Sequence, residues 1–282
     1  MSRNTPPIYW LGVHKTGTTF LQACLEASKG ALKRHGVEYT ALEDFRRAHT
    51  RPLLNEATAL PPVPPMDPGQ TQLIFDENIL GLVQHVATPD GLYPAGAWRA
   101  DEMADRLDLE DPRLVLGLRG FAGFLPSLYC EALKATPFRP FHSFLRTPLE
   151  TLSWQPLIAG LLASFPRARL TVYTAETLRG HETALLSHLL DIPAQELTRA
   201  DHSERPGFSQ RAIKEMDKVH EAGGIEAAEV RRLVKAYPRS PKLPGFDPWT
   251  EEERSRLDTL YAADLETLRT WPRVTLIDPA TL

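Results

Sequence analysis

Only two of the 282 residues are cysteine, Cys24 and Cys130, and they stand far apart in the sequence. So few thiols build no disulfide framework and fit buried, reduced side chains in a reducing compartment. No apolar run is long enough to span a bilayer. The apolar stretch from Ile8 is short and leads straight into His14-Lys15, so no signal peptide is expected and the expected location is cytoplasmic. The nine histidines are scattered, with neither a His-Glu-x-x-His pattern nor a cysteine pair, so no metal site is expected. The formal net charge is −4, which gives no general affinity for nucleic acid. Internal repeats and a clean domain boundary are also lacking. The length suits one α/β domain, residues 1–282, with insertions.

Proline and positive charge are plentiful but uneven. Pro61-Pro62-Val63-Pro64-Pro65 and Pro68-Gly69 exclude regular structure there, so residues 51–70 are expected to form a mobile surface insertion. Between Arg205 and Lys242 nine basic residues face five acidic ones, in a chain that is negative as a whole. The part from about 203 to 270 therefore reads as basic and helical. Its positive side is either a set of solvated helix faces or a rim for an anionic nucleotide or acidic acceptor.

Ile8-Tyr-Trp-Leu-Gly-Val-His-Lys-Thr-Gly-Thr-Thr-Phe-Leu-Gln22 is the most informative stretch. Ile8 to Leu11 and Val13 suit a central parallel strand covered on both faces. Gly12 and Gly17 bracket a loop, and Thr18 to Leu21 open a helix. A strand, a glycine-bracketed loop and a helix start form an anion site, with N–H groups turned inward and the helix dipole favouring negative charge. Gly12-x4-Gly17 has the frame of a nucleotide-triphosphate P-loop, yet Thr18 stands where that motif has lysine, and the lysine lies inside the loop as Lys15.

Other elements follow from periodicity. Helices are expected over 17–33, 79–86, 97–109, 121–133, 154–165, 182–190, 213–220 and 226–237. Strands are expected at 37–40, 73–75, 114–118 and 170–173, the first pairing with Ile8–Val13 in a β-α-β unit. Residues 90–94 read as a turn and 138–148 as an aromatic, proline-bearing loop over the site. Thr250 and Glu253 make a capping box that starts a long last helix, followed by a strand or docked tail at 274–277. Arg119 and Asp76-Glu77 each end an apolar strand, and in open α/β sheets ligands sit at that edge.

His14-Lys15-Thr16-Gly17-Thr18-Thr19 resembles the 5′-phosphosulfate loop of the sulfotransferase family, and Arg119 with Ser127 eight positions later resembles that family's 3′-phosphate pair. Asp76-Glu77-Asn78 is similar to a segment of bacterial sulfotransferase-like proteins, and Tyr173 to Leu178 to the family's strand-end Tyr-Glu-x-Leu region. The resemblance implies a three-layer α/β/α fold with a central parallel sheet, P-loop-like. It implies a soluble enzyme that uses 3′-phosphoadenosine 5′-phosphosulfate (PAPS) as donor, without metal. Lys15, Thr16, Gly17, Thr18, Thr19, Arg119 and Ser127 would hold the donor, with Ser203 and Arg205 beside it. Lys15 would stabilise the leaving group and Glu77 would be the general base, with His14, Asp76 and His85 as alternatives. The partner is an unnamed hydroxylated acceptor, either a glycan or a small molecule; the oligomeric state is open. Two other readings are a P-loop ATP-dependent kinase, for which Leu73–Glu77 would be a Walker B strand, and a nucleotide-binding relative without catalysis.

Overall fold

The structure, a computed structural model, describes residues 6–54, 69–201 and 207–282. Six strands make one sheet in the order β2-β3-β1-β4-β5-β6: β1 (Ile8–Trp10), β2 (Val37–Tyr39), β3 (Thr71–Phe75), β4 (Arg113–Leu118), β5 (Leu170–Thr174) and β6 (Val274–Ile277). Every pairing in it is parallel. Tyr9 sits opposite Ile74 on one side and Leu114 on the other, which makes β1 the central strand.

Alternation along the strands sorts two helical layers. Ile8 and Trp10 share one buried cluster with Leu21, Cys24 and Leu25 of α1 (Thr18–Ala27), Leu32 of α2 (Lys29–Arg34) and the leucines of the Glu182–Leu190 helix. Tyr9 and Leu11 point the other way, into the larger cluster with α3 (Gly96–Arg106), α4 (Phe121–Ala132) and α5 (Gln155–Ser164). With α6 (Glu182–Leu190), α7 (Gln210–Glu221), α8 (Ala227–Ala236) and α9 (Glu251–Arg269), this is the three-layer α/β/α arrangement.

Two side chains dock the C-terminal helices onto this frame. Pro126 inside α4 cannot donate to the Ala122 carbonyl, and the Trp249 indole N–H takes that acceptor at 2.8 Å. Asp264 of α9 accepts from the Trp154 N–H at 2.6 Å and caps α5 from outside. The capping box at Thr250 and Glu253 is present, and 274–277 is a strand rather than a tail.

Several expected elements differ. The first helix breaks at Ser28, whose hydroxyl accepts from the Thr198 N–H at 2.8 Å and ties the break to a distant segment. β2 does not pair with β1; β3 lies between them. Leu73, Ile74 and Phe75 are all buried and suit an interior strand, whereas β2 carries the exposed Glu38 and suits the edge. The helix expected at 79–86 is two short 3₁₀ turns, because Gly81 takes a φ of +137° between them. The 90–94 turn belongs to a small hairpin, Ala87–Thr88 with Gly91–Leu92. The 138–148 loop does not cover the site: Phe138 and Phe141 are buried in the larger core, and Phe141 packs on Tyr129 and Trp249. Residues 51–54 are helical, and the rest of the proline-rich stretch up to Pro68 lies outside the described residues. Among the described residues no helix is long and apolar enough to cross a membrane.

Candidate functional site

The loop after β1 is zipped to β4 before it turns. Leu11 N–H donates to the Val115 carbonyl at 2.9 Å and Val13 N–H to Gly117 at 3.1 Å. Gly12 has a φ of +96°, and a Cβ there would lie 2.7 Å from the Glu77 Cβ, so glycine is what lets the loop pass over the end of β3. Lys15 at φ 63° and Gly17 at φ 85° are left-handed, a conformation that costs a non-glycine residue about 1–2 kcal/mol. Such outliers gather at binding sites, where the surrounding contacts enforce them. The enforcing contacts are visible. Thr16 Oγ1 donates to the Val13 carbonyl at 2.7 Å, the Tyr173 hydroxyl to the Thr16 carbonyl at 3.2 Å, and the Arg119 guanidinium to the Lys15 carbonyl at 3.1 Å.

Alternating left- and right-handed residues turn the amides of this loop to one side. The backbone N–H groups of Lys15, Thr16, Gly17, Thr18 and Thr19 have no hydrogen-bond acceptor among the described residues. The helix that begins at Thr18 has no side-chain cap and no acidic residue in its first turn. Orphan donors at a helix start normally find a cap or a ligand, and these find no cap.

A cleft of about 820 Å³ opens beside the loop, over the carboxyl ends of β1, β4 and β5. Lys15, Gly17 and Phe20 line one side and Arg119 and Gly120 another; Ala175 to Arg179 and α9 close it. Five basic and three acidic side chains line it, so its charge is positive although the chain's is negative. Arg119 has no carboxylate within ion-pair distance among the described residues. Burial lowers its pKa from the usual guanidinium value; the nearby Glu176 carboxylate opposes this, and the like charge of Arg239 adds a smaller push in the same direction as burial. The Arg239 guanidinium rests on Gly245, where a Cβ would sit 3.1 Å from its Nε. The backbone of Arg119 is fixed by the Trp154 indole, which donates to its carbonyl at 3.2 Å.

Ser127 is half-buried on α4. It shares a helix face with Gly123, four residues before, and Glu131, four after. A Cβ on Gly123 would lie 3.2 Å from the Arg119 Nε, and Glu131 contacts Lys15, so this face runs from Arg119 to Lys15 with Ser127 midway. Thr18 is buried and Thr19 exposed at the mouth of the loop. Ser203 and Arg205 lie outside the described residues.

The expected base, Glu77, and the alternatives Asp76 and His14 stand behind the loop, and none of the expected bases is in the cleft lining. Glu77 is 9% exposed; its Oε1 accepts from Arg46 at 3.0 Å and its Oε2 from Gln22 at 3.2 Å. Asp76 is fully buried, with Oδ1 bonded to Arg46 at 2.8 Å and Oδ2 to Thr50 at 2.7 Å, and it caps the following turn through the Asn78 N–H. Burial pushes the Asp76 carboxyl up, against the opposing pull of Arg46. His14 is buried, and burial lowers its pKa. Its Nδ1 lies 2.8 Å from the Tyr93 hydroxyl and its Nε2 3.1 Å from Asn78 Oδ1. The Asn78 oxygen only accepts, which matches a proton on Nε2, and the Tyr93 hydroxyl, which also accepts from the His14 backbone N–H at 3.0 Å, is the hydrogen-bond partner of Nδ1. His85 is exposed on a 3₁₀ turn and touches none of these groups.

Sequence reading missed Arg46, Gln22, Tyr93, Glu131 and Arg239. For Glu131 a signal existed, the four-residue step from Ser127. Arg239 lies 120 positions after Arg119, within the basic 205–242 run whose rim reading did not single it out. Among the described residues no group of three or more His, Cys, Asp or Glu side chains is placed to hold a metal ion. No protein-family model matches the chain, and no curated protein matches it.

Proposed function

We propose that this protein is a sulfotransferase that moves a sulfuryl group from PAPS to a hydroxyl or amine of a glycan or small-molecule acceptor by in-line displacement. The observation that carries the reading is the run of five open amides from Lys15 to Thr19 at the edge of a positively charged cleft. A donor anionic at both ends needs two separate cationic points. Lys15 with the open amides makes one, and Arg119 with Ser127 and Arg239 makes the other.

The chemistry suits those groups. As the S–O bond breaks, negative charge grows on the phosphate oxygen left behind. Lys15 and the loop amides are fixed donors that interact more strongly with that grown charge than with the starting one, which is what accelerates a reaction. Arg119 holds a phosphate through its planar fork without ever losing charge, and Ser127 adds a hydroxyl on the same helix face. Glu77, the expected base, stands behind the loop with one oxygen on Arg46 and the other on Gln22, so it supports the first glycine of the loop and is not proposed as the group that takes the acceptor's proton. The kinase reading is weaker. Thr18 replaces its phosphate lysine, and Asp76, which would bind Mg²⁺ there, already has both oxygens engaged in full burial.

The test is a thermal-shift titration with 3′-phosphoadenosine 5′-phosphate, compared with ADP and ATP with and without Mg²⁺. A ligand at 100 times its Kd adds about 2.7 kcal/mol, a shift of roughly 5–10 °C for a chain of this size. The expected result is a shift with the 3′-phosphorylated nucleotide alone, independent of Mg²⁺ and lost in Arg119→Ala. A shift only with Mg²⁺-ATP overturns the reading in favour of a kinase. Binding without turnover on any acceptor makes the protein a nucleotide-binding relative.

A further inference from the structure

Glu131 reaches the lysine of the loop from α4. Its Oε2 lies 2.8 Å from Lys15 Nζ and 2.9 Å from Lys134 Nζ. The Lys15 and Glu131 side chains are 29% and 32% exposed, so the pair is mostly shielded from water. Burial by itself would raise the Glu131 carboxyl. The Lys15 charge and hydrogen bond, reinforced by Lys134, outweigh burial and hold it down at about 2. Glu131 is therefore an anion throughout the physiological range.

A carboxylate on Lys15, beside five open amides, occupies the lysine that a bound phosphate oxygen would need. Lys134 adds a second feature. It lies three residues on, in the turn just past the end of α4, and holds the same carboxylate oxygen. When Lys15 leaves, Glu131 keeps a cation, so its release strands no charge. The reverse does not hold: Lys15 has no other carboxylate within ion-pair distance among the described residues. The carboxylate is thus kept in place, while the lysine is the member free to change partner.

We propose that Glu131 is a built-in counter-ion that holds Lys15 in the empty protein and is displaced from it by the incoming anion, and so sets how strongly charged that anion must be. Glu131 is a positioning and specificity residue; it touches Lys15 and not the reacting atoms. The identity of the ligand rests on the nucleotide reading above, whereas the competition for Lys15 does not. A ligand that brings a doubly charged phosphate to the loop wins the lysine, and a weakly charged anion does not.

Calorimetric titration of two probes, 3′-phosphoadenosine 5′-phosphate and inorganic pyrophosphate, into the full chain tests this. Four proteins are compared: wild type, Glu131→Gln, Lys15→Met and the double variant. Glu131→Gln is expected to tighten both probes about fivefold, the worth of one partly exposed ion pair. In the Lys15→Met background the same change is expected to do nothing. Equal or weaker binding in Glu131→Gln overturns the proposal, as does equal tightening with and without Lys15, which would mean a general field effect. Should Glu131→Gln fold poorly, Glu131→Ala carries the same comparison. Pyrophosphate showing the pattern without nucleotide binding sinks the nucleotide reading and keeps this one. Nucleotide binding indifferent to Glu131 does the opposite, and no binding of either probe by any of the four proteins sinks both.

Discussion

The Gly12–Thr19 loop separates two polar regions built on opposite plans. Behind it, Asp76, Glu77, Arg46, Gln22 and Thr50 bind one another, and His14, Tyr93 and Asn78 do the same. In front of it, the amides of Lys15 to Thr19 have no acceptor among the described residues, and Arg119 lies near both the carboxylate of Glu176 and the like charge of Arg239 without an ion pair among the described residues. Open donors at a helix start beside a positively charged cleft are the arrangement on which the proposed anion site rests. The region behind, in which Gln22 Oε1 is a buried atom left without a partner, supports the loop through Glu77 under Gly12 and Tyr93 on the His14 backbone.

The contrast predicts that two arginines behave differently. Arg46→Met leaves two buried carboxylates without their cation and should cost roughly 3–5 kcal/mol of stability. Arg119→Met removes one hydrogen bond to the Lys15 carbonyl from a side chain with no ion pair among the described residues and should cost about 1 kcal/mol. Urea unfolding of both variants measures it. Equal losses would erase the distinction between the two regions.

A smaller effect is expected from pH. Burial depresses the His14 pKa in the folded protein, so the unfolded chain binds the extra proton more readily. Its contribution to stability is present above the unfolded value of about 6.5 and is lost as pH falls below it, with a slope of at most about 1.4 kcal/mol per pH unit. His14→Gln keeps a hydrogen-bonding side chain that does not titrate. Unfolding free energies between pH 5 and 8 should therefore decline less steeply toward acid in that variant. Parallel curves would mean that His14 is not held neutral by its burial.

Much of the sheet was legible because its strands are short apolar runs ending in polar residues, as at Phe75-Asp76 and Leu118-Arg119. Strand order was not. Nothing local tells Val37–Tyr39 that Thr71–Phe75 will come between it and β1; only the exposed Glu38 hints at an edge. The 3₁₀ turns after Asp76 were hidden because their apolar spacing imitates a helix, while the break depends on the conformation of Gly81. In the site, the loop and Arg119 were readable from type and spacing. Which polar groups are already paired was not, since Arg46 meets Asp76 and Glu77 across about 30 residues and Glu131 meets Lys15 across more than 100.

Hydrogen exchange followed by mass spectrometry, with and without saturating 3′-phosphoadenosine 5′-phosphate, addresses the open amides directly. Peptides covering residues 12–22 should become strongly protected on binding, while those covering residues 71–80, whose polar groups are already paired, should change little. Protection absent from 12–22, or concentrated behind the loop, would contradict the assignment of this loop as the anion site.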